Sequence, residues 1–178
     1  MKYTTLNEML ESNRDVDRAV TYVEGENAER RVSFGEVYAR ALGILHHLQA
    51  KGAQRGDKLI IFLSNNEQFL DAFWAAIAGG IVPVPLAVGI SDEHRHKLLR
   101  VARKIGRPLL YTDAKNLERL QVLATEVGES ELMAEIKSRT SWWNRSATSR
   151  ARRSSTRPLP TISPSFSSPP ARPANRRA

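Results

Sequence analysis

Cysteine is absent from the 178-residue chain. That excludes disulfides, a thiol nucleophile and any metal site built on thiolates. It suits a reducing compartment, so the cytoplasm is the expected location. The start, Met1-Lys2-Tyr3-Thr4-Thr5, opens no apolar run, and no secretory leader is expected there. Acidic residues are missing from residues 141–178, and so is lysine. All 19 Asp and Glu lie at or before Glu135, whereas eight arginines follow Thr140. The net charge of +8 therefore belongs to the end of the chain, and residues 1–140 are neutral. A nucleic-acid reading has to be argued for the tail alone.

Long hydrophobic runs are scarce. The uncharged stretch 72–90 is long enough to span a bilayer, but it holds Gly79-Gly80, Pro83 and Pro85. Prolines so placed break a spanning helix. We read a buried helix turning into a buried strand, and expect no membrane span.

What is present is a regular alternation. Thr5-Leu6-Asn7-Glu8 fits a capping box for a short helix with Leu6, Met9 and Leu10 on its apolar side. Ala19 to Glu24 reads as a strand, Gly25-Glu26-Asn27 as a turn and Arg30 to Ser33 as the returning strand of a hairpin. Ser33-Phe34-Gly35-Glu36 is a second capping box. Behind it Val37, Ala41, Ile44, Leu45 and Leu48 recur at helical spacing until Gly52. Lys58 to Leu63 is too apolar for an exposed strand. Glu67 to Ala78 predicts a helix apolar almost all round and hence well buried. Ile81 to Val84 follows as a strand, which Pro83 marks as short or at an edge. Ser91 is positioned to cap a helix from Asp92 to Ile105, Leu109 to Thr112 is a strand, and Asp113 caps a helix through Leu117, Leu120 and Leu123. Strand and helix alternate from residue 58, so the expected fold class is α/β, a partial parallel sheet with flanking helices.

The pattern stops near Ile136. Residues 141–178 hold nine serines, six of the nine prolines and eight arginines. Such a stretch buries too little apolar surface to offset its ordering entropy, so a disordered tail is expected. The expected division is residues 1–140 as fold and 141–178 as tail.

Several of these residues together resemble a known family. Val20 to Asn27, the helix start Val32-Ser33-Phe34-Gly35-Glu36-Val37-Tyr38, Gly52 through Asp57, and Gly79-Gly80-Ile81-Val82-Pro83-Val84-Pro85-Leu86 resemble the opening of AMP-forming acyl-adenylating enzymes. Ile90 to Leu98 is most similar to the fatty acyl-AMP ligase branch and to loading domains of polyketide and peptide synthetases. The likeness covers residues 5–140, the N-terminal portion of an adenylation domain. It rests on the order and spacing of motifs that are individually unspecific.

The resemblance implies a reaction: a carboxylate joins ATP to give an acyl adenylate and pyrophosphate. The acyl group then passes to a phosphopantetheine thiol on CoA or an acyl carrier protein. ATP and Mg would serve the full-length enzyme, and a fatty or other carboxylic acid would be its substrate. It also implies that the phosphate-cradling Ser/Thr/Gly-rich loop, the adenine and ribose contacts, the carboxylate pocket and the catalytic lysine lie downstream of this stretch. No catalytic, cofactor-binding or metal-ligating residue is therefore expected here, and the chain is expected to be a truncated, inactive fragment.

A change of reading frame would account for the tail. A choice of silent third bases exists under which the codons of residues 161–178, regrouped one base out of phase, read DIAFIQFSSGSTGEPKG. That is the family's phosphate-loop motif with its preceding strand. The same offset turns the codons of residues 140–150 into FLVESIGDISR. A single-base deletion near Thr140 is the expectation this raises.

Other signals have plainer readings. His94 and His96 are two apart on a helix and point in different directions, so a solvated helix start outweighs a metal site. His46-His47 should be one half-buried and one exposed. Gly79-Gly80 follows a helix and precedes a strand, the reverse of a dinucleotide-binding loop, so a tight turn with close packing is expected. Asn65-Asn66 sits where parallel sheets often hold ligands, but a helix cap is the simpler role. The arginine-rich tail with Trp142, Trp143 and Phe166 raises an alternative, a small α/β interaction module whose tail binds nucleic acid or an anionic surface. Nucleic-acid binding is the minority reading beside the frame change.

Overall fold

The structure is a computed structural model that describes residues 3–23, 25 and 29–142. Of the tail expected to be disordered, residues 143–178 lie outside the described residues, whereas 141 and 142 belong to a strand; Glu24 of the expected strand and Glu26 and Asn27 of the expected turn also lie outside them.

Two elements open the chain before the main sheet. Helix α1 (Leu6–Ser12) starts at Thr5, whose hydroxyl accepts the Glu8 amide at 3.1 Å. The return arm of the expected box goes to Thr4 instead, whose amide donates to the Glu8 carboxylate at 2.8 Å. Strands β1 (Ala19–Tyr22) and β2 (Arg30–Ser33) form the expected antiparallel hairpin. Ser33 ends β2 and caps α2 (Phe34–Ala50) in a complete capping box with Glu36. The five apolar positions expected to face inward on α2 are all buried.

The remainder alternates as expected: β3 (Lys58–Phe62), α3 (Asn66–Gly79), β4 (Val82–Pro85), α4 (Asp92–Ile105), β5 (Leu109–Thr112), α5 (Ala114–Glu126), α6 (Ser130–Ser138) and β6 (Thr140–Trp142). The four strands form one parallel sheet in the order β4-β3-β5-β6. Helices cover both faces, which is why β3 and β5 read as continuous apolar runs rather than alternating ones. Leu59, Ile61, Leu109 and Tyr111 face a core shared with α2 and α3. Ile60, Phe62 and Leu110 face a second core shared with α4, α5 and α6.

Three expectations need correction. The strand–helix alternation does not stop near Ile136. Gly128, at φ +74°, breaks α5 from α6; α6 buries Met133 and Ile136, and β6 then pairs with β5. A three-residue strand is too short to show a period of two, so the sequence concealed it. The expected boundary at residue 140 falls on the first residue of a strand. Second, β4 begins at Val82, because the Ile81 amide is still used by α3, donating to the Ala76 carbonyl at 2.9 Å. Third, α3 is not buried all round: Ala72, Ala75 and Ala76 are buried, whereas Phe69, Phe73 and Trp74 are only partly so.

Pro83 places β4 at an edge, as expected, and the geometry sharpens the point. The amides of Val82 and Leu86 donate inward, to Asp57 and Ile61 of the β3 side. Alternation turns positions 83 and 85 outward, and both are proline, so neither has an N–H to offer along that margin.

Candidate functional site

The plainer readings of Asn65-Asn66, Gly79-Gly80 and His46-His47 hold. Asn65 caps α3, its side-chain oxygen accepting the Gln68 amide at 3.0 Å. Gly80 ends α3 in the left-handed conformation at φ +64°. A Cβ on Gly79 would lie 2.4 Å from Leu45 Cδ1, so the glycine pair is a tight turn with close helix packing. His46 is exposed and His47 half-buried. His94 is half-buried against Gly89, and His96 is exposed. Ser91 stands at the cap position of α4 without a side-chain cap bond, and Asp92 is bound to Arg95 instead.

The most concentrated polar cluster was not visible in the sequence. Capping sets it up. Ser33 starts α2 so that Glu36 and Arg40 stand one turn apart, and Asn65 starts α3 so that Glu67 and Asp71 do the same on the facing helix. Arg40 pairs with Glu67, lies 3.6 Å from Asp71 Oδ2 and 3.9 Å from Glu36. Arg30 of the hairpin reaches Glu67 at 3.2 Å. Asp71 is 1% exposed. Its Oδ1 and the Tyr22 hydroxyl are buried with no hydrogen-bond partner among the described residues. Burial raises the Asp71 carboxyl to about 7: Arg40 pulls the other way and the Glu67 charge adds to the rise. Burial, then the charges of Asp71 and Glu67, push the Tyr22 phenol to about 12. Tyr111 is likewise raised, by burial first and Asp71 second. No solute reaches a carboxyl this enclosed, so the cluster joins elements rather than acting on a substrate.

A second buried charge is Arg95 of α4, whose side chain is 7% exposed. Its guanidinium bonds Asp92 and donates to the Ile90 carbonyl at 3.3 Å, which holds the loop between β4 and α4 against the helix. Periodicity gave no sign of it, since an arginine among polar neighbours reads as solvated.

ATP and Mg do not fit the described residues. No group of three or more His, Asp or Glu among them could hold a metal ion. One opening amide of each of α1, α2, α3 and α5 is taken by the chain's own Thr5, Ser33, Asn65 or Asp113. Helix α4 opens on Asp92 and Glu93, whose charges repel phosphate. Among the described residues no helix is long and apolar enough to cross a membrane.

With this geometry in view, the chain can be set beside known proteins. It is 26% identical over 89 residues to fadD25 of Mycobacterium tuberculosis, a protein named as a fatty-acid–CoA ligase, covering 48% of this chain and 15% of that one. The adenylation domain of a keto acid-selecting nonribosomal peptide synthetase module, bound to keto acyl adenylate, superposes with a TM-score of 0.67 at 25% identity over 78% of this chain and 26% of its own. McyG, solved as an adenylation and carrier-protein pair with phenylalanyl-adenylate, gives 0.66 at 26% identity, covering 86% of this chain and 27% of its own. The fatty acid AMP ligase of Legionella pneumophila shares the fold, with a TM-score of 0.60. The chain thus spans about a quarter or less of the proteins it matches. The sequence model described as AMP-binding enzyme matches residues 11–164, running past Thr140. The chain belongs to the AMP-binding enzyme family.

Proposed function

We propose that this chain supplies the N-terminal scaffold of an ATP-dependent acyl-adenylating enzyme of the fatty acyl-AMP ligase or acyl-CoA synthetase type, and is inactive by itself. The observation that carries this is the composition of the described fold. It has two packed cores and a parallel sheet, yet four of its six described helices are capped by their own side chains and its most buried carboxylate is closed to solute. A whole enzyme of this kind would take ATP with Mg, a fatty or other carboxylic acid, and CoA or an acyl carrier protein. ATP–pyrophosphate exchange with a panel of fatty acids tests the reading. The 178-residue chain should give background exchange, and clear exchange would overturn it.

A change of frame near Thr140 is part of the same proposal. Restoring one base there should extend the sheet into the phosphate-loop reading DIAFIQFSSGSTGEPKG, and exchange activity should appear once the downstream parts follow. The family match as far as residue 164 favours a second reading, in which the native frame continues past Thr140. The coding DNA separates the two. If codons 141–178 cannot be regrouped into the family motif, the frame change is wrong.

A further inference from the structure

The cluster around Asp71 joins three parts of the fold. Asp71 and Glu67 stand on α3, Arg40 and Glu36 on α2, and Tyr22 and Arg30 on the hairpin; Tyr111 faces Asp71 from β5. Helix α3 also packs against α1, β3 and β4, and among the described residues no ion pair from those elements reaches the cluster. One cation, Arg40, is shared by three carboxylates. One carboxylate, Glu67, carries the only ion pair among the described residues that ties the hairpin to the helices. Asp71 Oδ1 and the Tyr22 hydroxyl meet no hydrogen-bond partner among the described residues.

We propose that the Asp71 carboxyl is a proton-operated latch that sets how firmly the β1–β2 hairpin is held against α2 and α3. The argument is one of solvation. A neutral carboxyl is tolerated in this enclosure and leaves Arg40 to Glu67, which in turn holds Arg30. Loss of the proton creates a charge whose second oxygen is buried without a hydrogen-bond partner among the described residues, beside the like charge of Glu67. Lifting the hairpin, which contributes Tyr22 and Arg30 to the lid of the cluster, admits water to that oxygen. The charged form therefore favours the lifted hairpin and the neutral form the closed one. This inference concerns the scaffold itself and stands whether or not the reading of its function is right.

Two measurements on the 178-residue chain test it. In a carbon-13 carboxyl titration, with Asp71→Asn identifying the Asp71 signal by its loss, the midpoint should fall close to neutrality. A midpoint in the ordinary carboxylate range overturns the latch. In amide exchange, corrected for intrinsic rates, protection of the β1–β2 amides should fall about tenfold between pH 6 and 8, the change expected for about one pK unit of net coupling, while β3 stays level. Asp71→Asn should abolish that pH dependence. Hairpin protection that ignores pH, or that changes equally in Asp71→Asn, also overturns it. If the variant does not fold, a selective titration pinpointing Asp71 by residue-specific labelling, together with the wild-type exchange profile, still decides the matter.

Discussion

Arg139 donates from Nη2 to the carboxylate of Asp57 across 2.9 Å, joining residues 82 apart in sequence. The same guanidinium bonds the Arg107 carbonyl, and Asp57 also accepts the Gln54 amide at 3.1 Å. The end of α6 is thereby fixed beside the start of β3, one residue before Thr140, whose hydroxyl in turn donates to the Ile136 carbonyl. Native long-range contacts thus persist up to the position where composition changes. Arg139→Ala should cost about 1 kcal/mol, the scale of a partly exposed charge-assisted bond. A double-mutant cycle with Asp57→Ala, followed by urea unfolding, checks it; additive losses would mean that the pair contributes nothing.

Two glycines should respond differently to the same methyl group. At Gly79 an alanine Cβ meets Leu45 Cδ1 at 2.4 Å and Ile81 Cδ1 at 3.3 Å, inside the core shared by α2 and α3. Gly79→Ala should cost about 1–3 kcal/mol through overpacking. At Gly89 the obstacle is the half-buried His94 ring, which can swing outward. Gly89→Ala should cost less than about 0.5 kcal/mol. Thermal melts of the two variants should rank them in that order.

Ile60 and Ile61 are adjacent, fully buried and on opposite faces of the sheet. Replacing either with alanine should cost about 2–5 kcal/mol. The local consequences should separate: Ile61→Ala should loosen α2 and α3, and Ile60→Ala should loosen α4 and α5. Amide exchange helix by helix reads this directly, and identical patterns would contradict the two-core description.

Stability should also carry the signature of Asp71. Its carboxyl has an ordinary value of 3.8 and is raised to about 7 in the fold. Between those limits the folded state binds more protons than the unfolded one, so this contribution is present below the lower value and is lost as pH rises to the upper one. Asp71→Asn removes that loss, and the variant should gain on the wild type by about 1–3 kcal/mol between pH 4 and 8, the scale of a buried polar group left unsatisfied. Denaturant midpoints at the two pH values measure it. A gap that narrows as pH rises would show the sign to be wrong.

The sequence disclosed most of the sheet, and it did so through particular residues. Ser33, Asn65 and Asp113 marked helix starts because a side-chain oxygen followed by a free amide three residues on is a local event. The runs at 58–63 and 109–112 disclosed a sheet covered on both faces. What stayed hidden was non-local. Arg40 and Asp71 meet only because two separately capped helices lie side by side, and no spacing along one helix announces that. Arg95 is buried by a loop that its own guanidinium holds, so polarity misreads it. Strand β6 has three residues, and its strand character comes from pairing with β5 rather than from any pattern of its own.

The two prolines of β4 have a consequence at the edge of the sheet. Positions 83 and 85 present no amide hydrogen to an incoming chain, so backbone-to-backbone zippering is refused there. At the opposite edge among the described residues, β6 holds no proline. Among the described residues, widening of this sheet by another polypeptide is therefore disfavoured along β4.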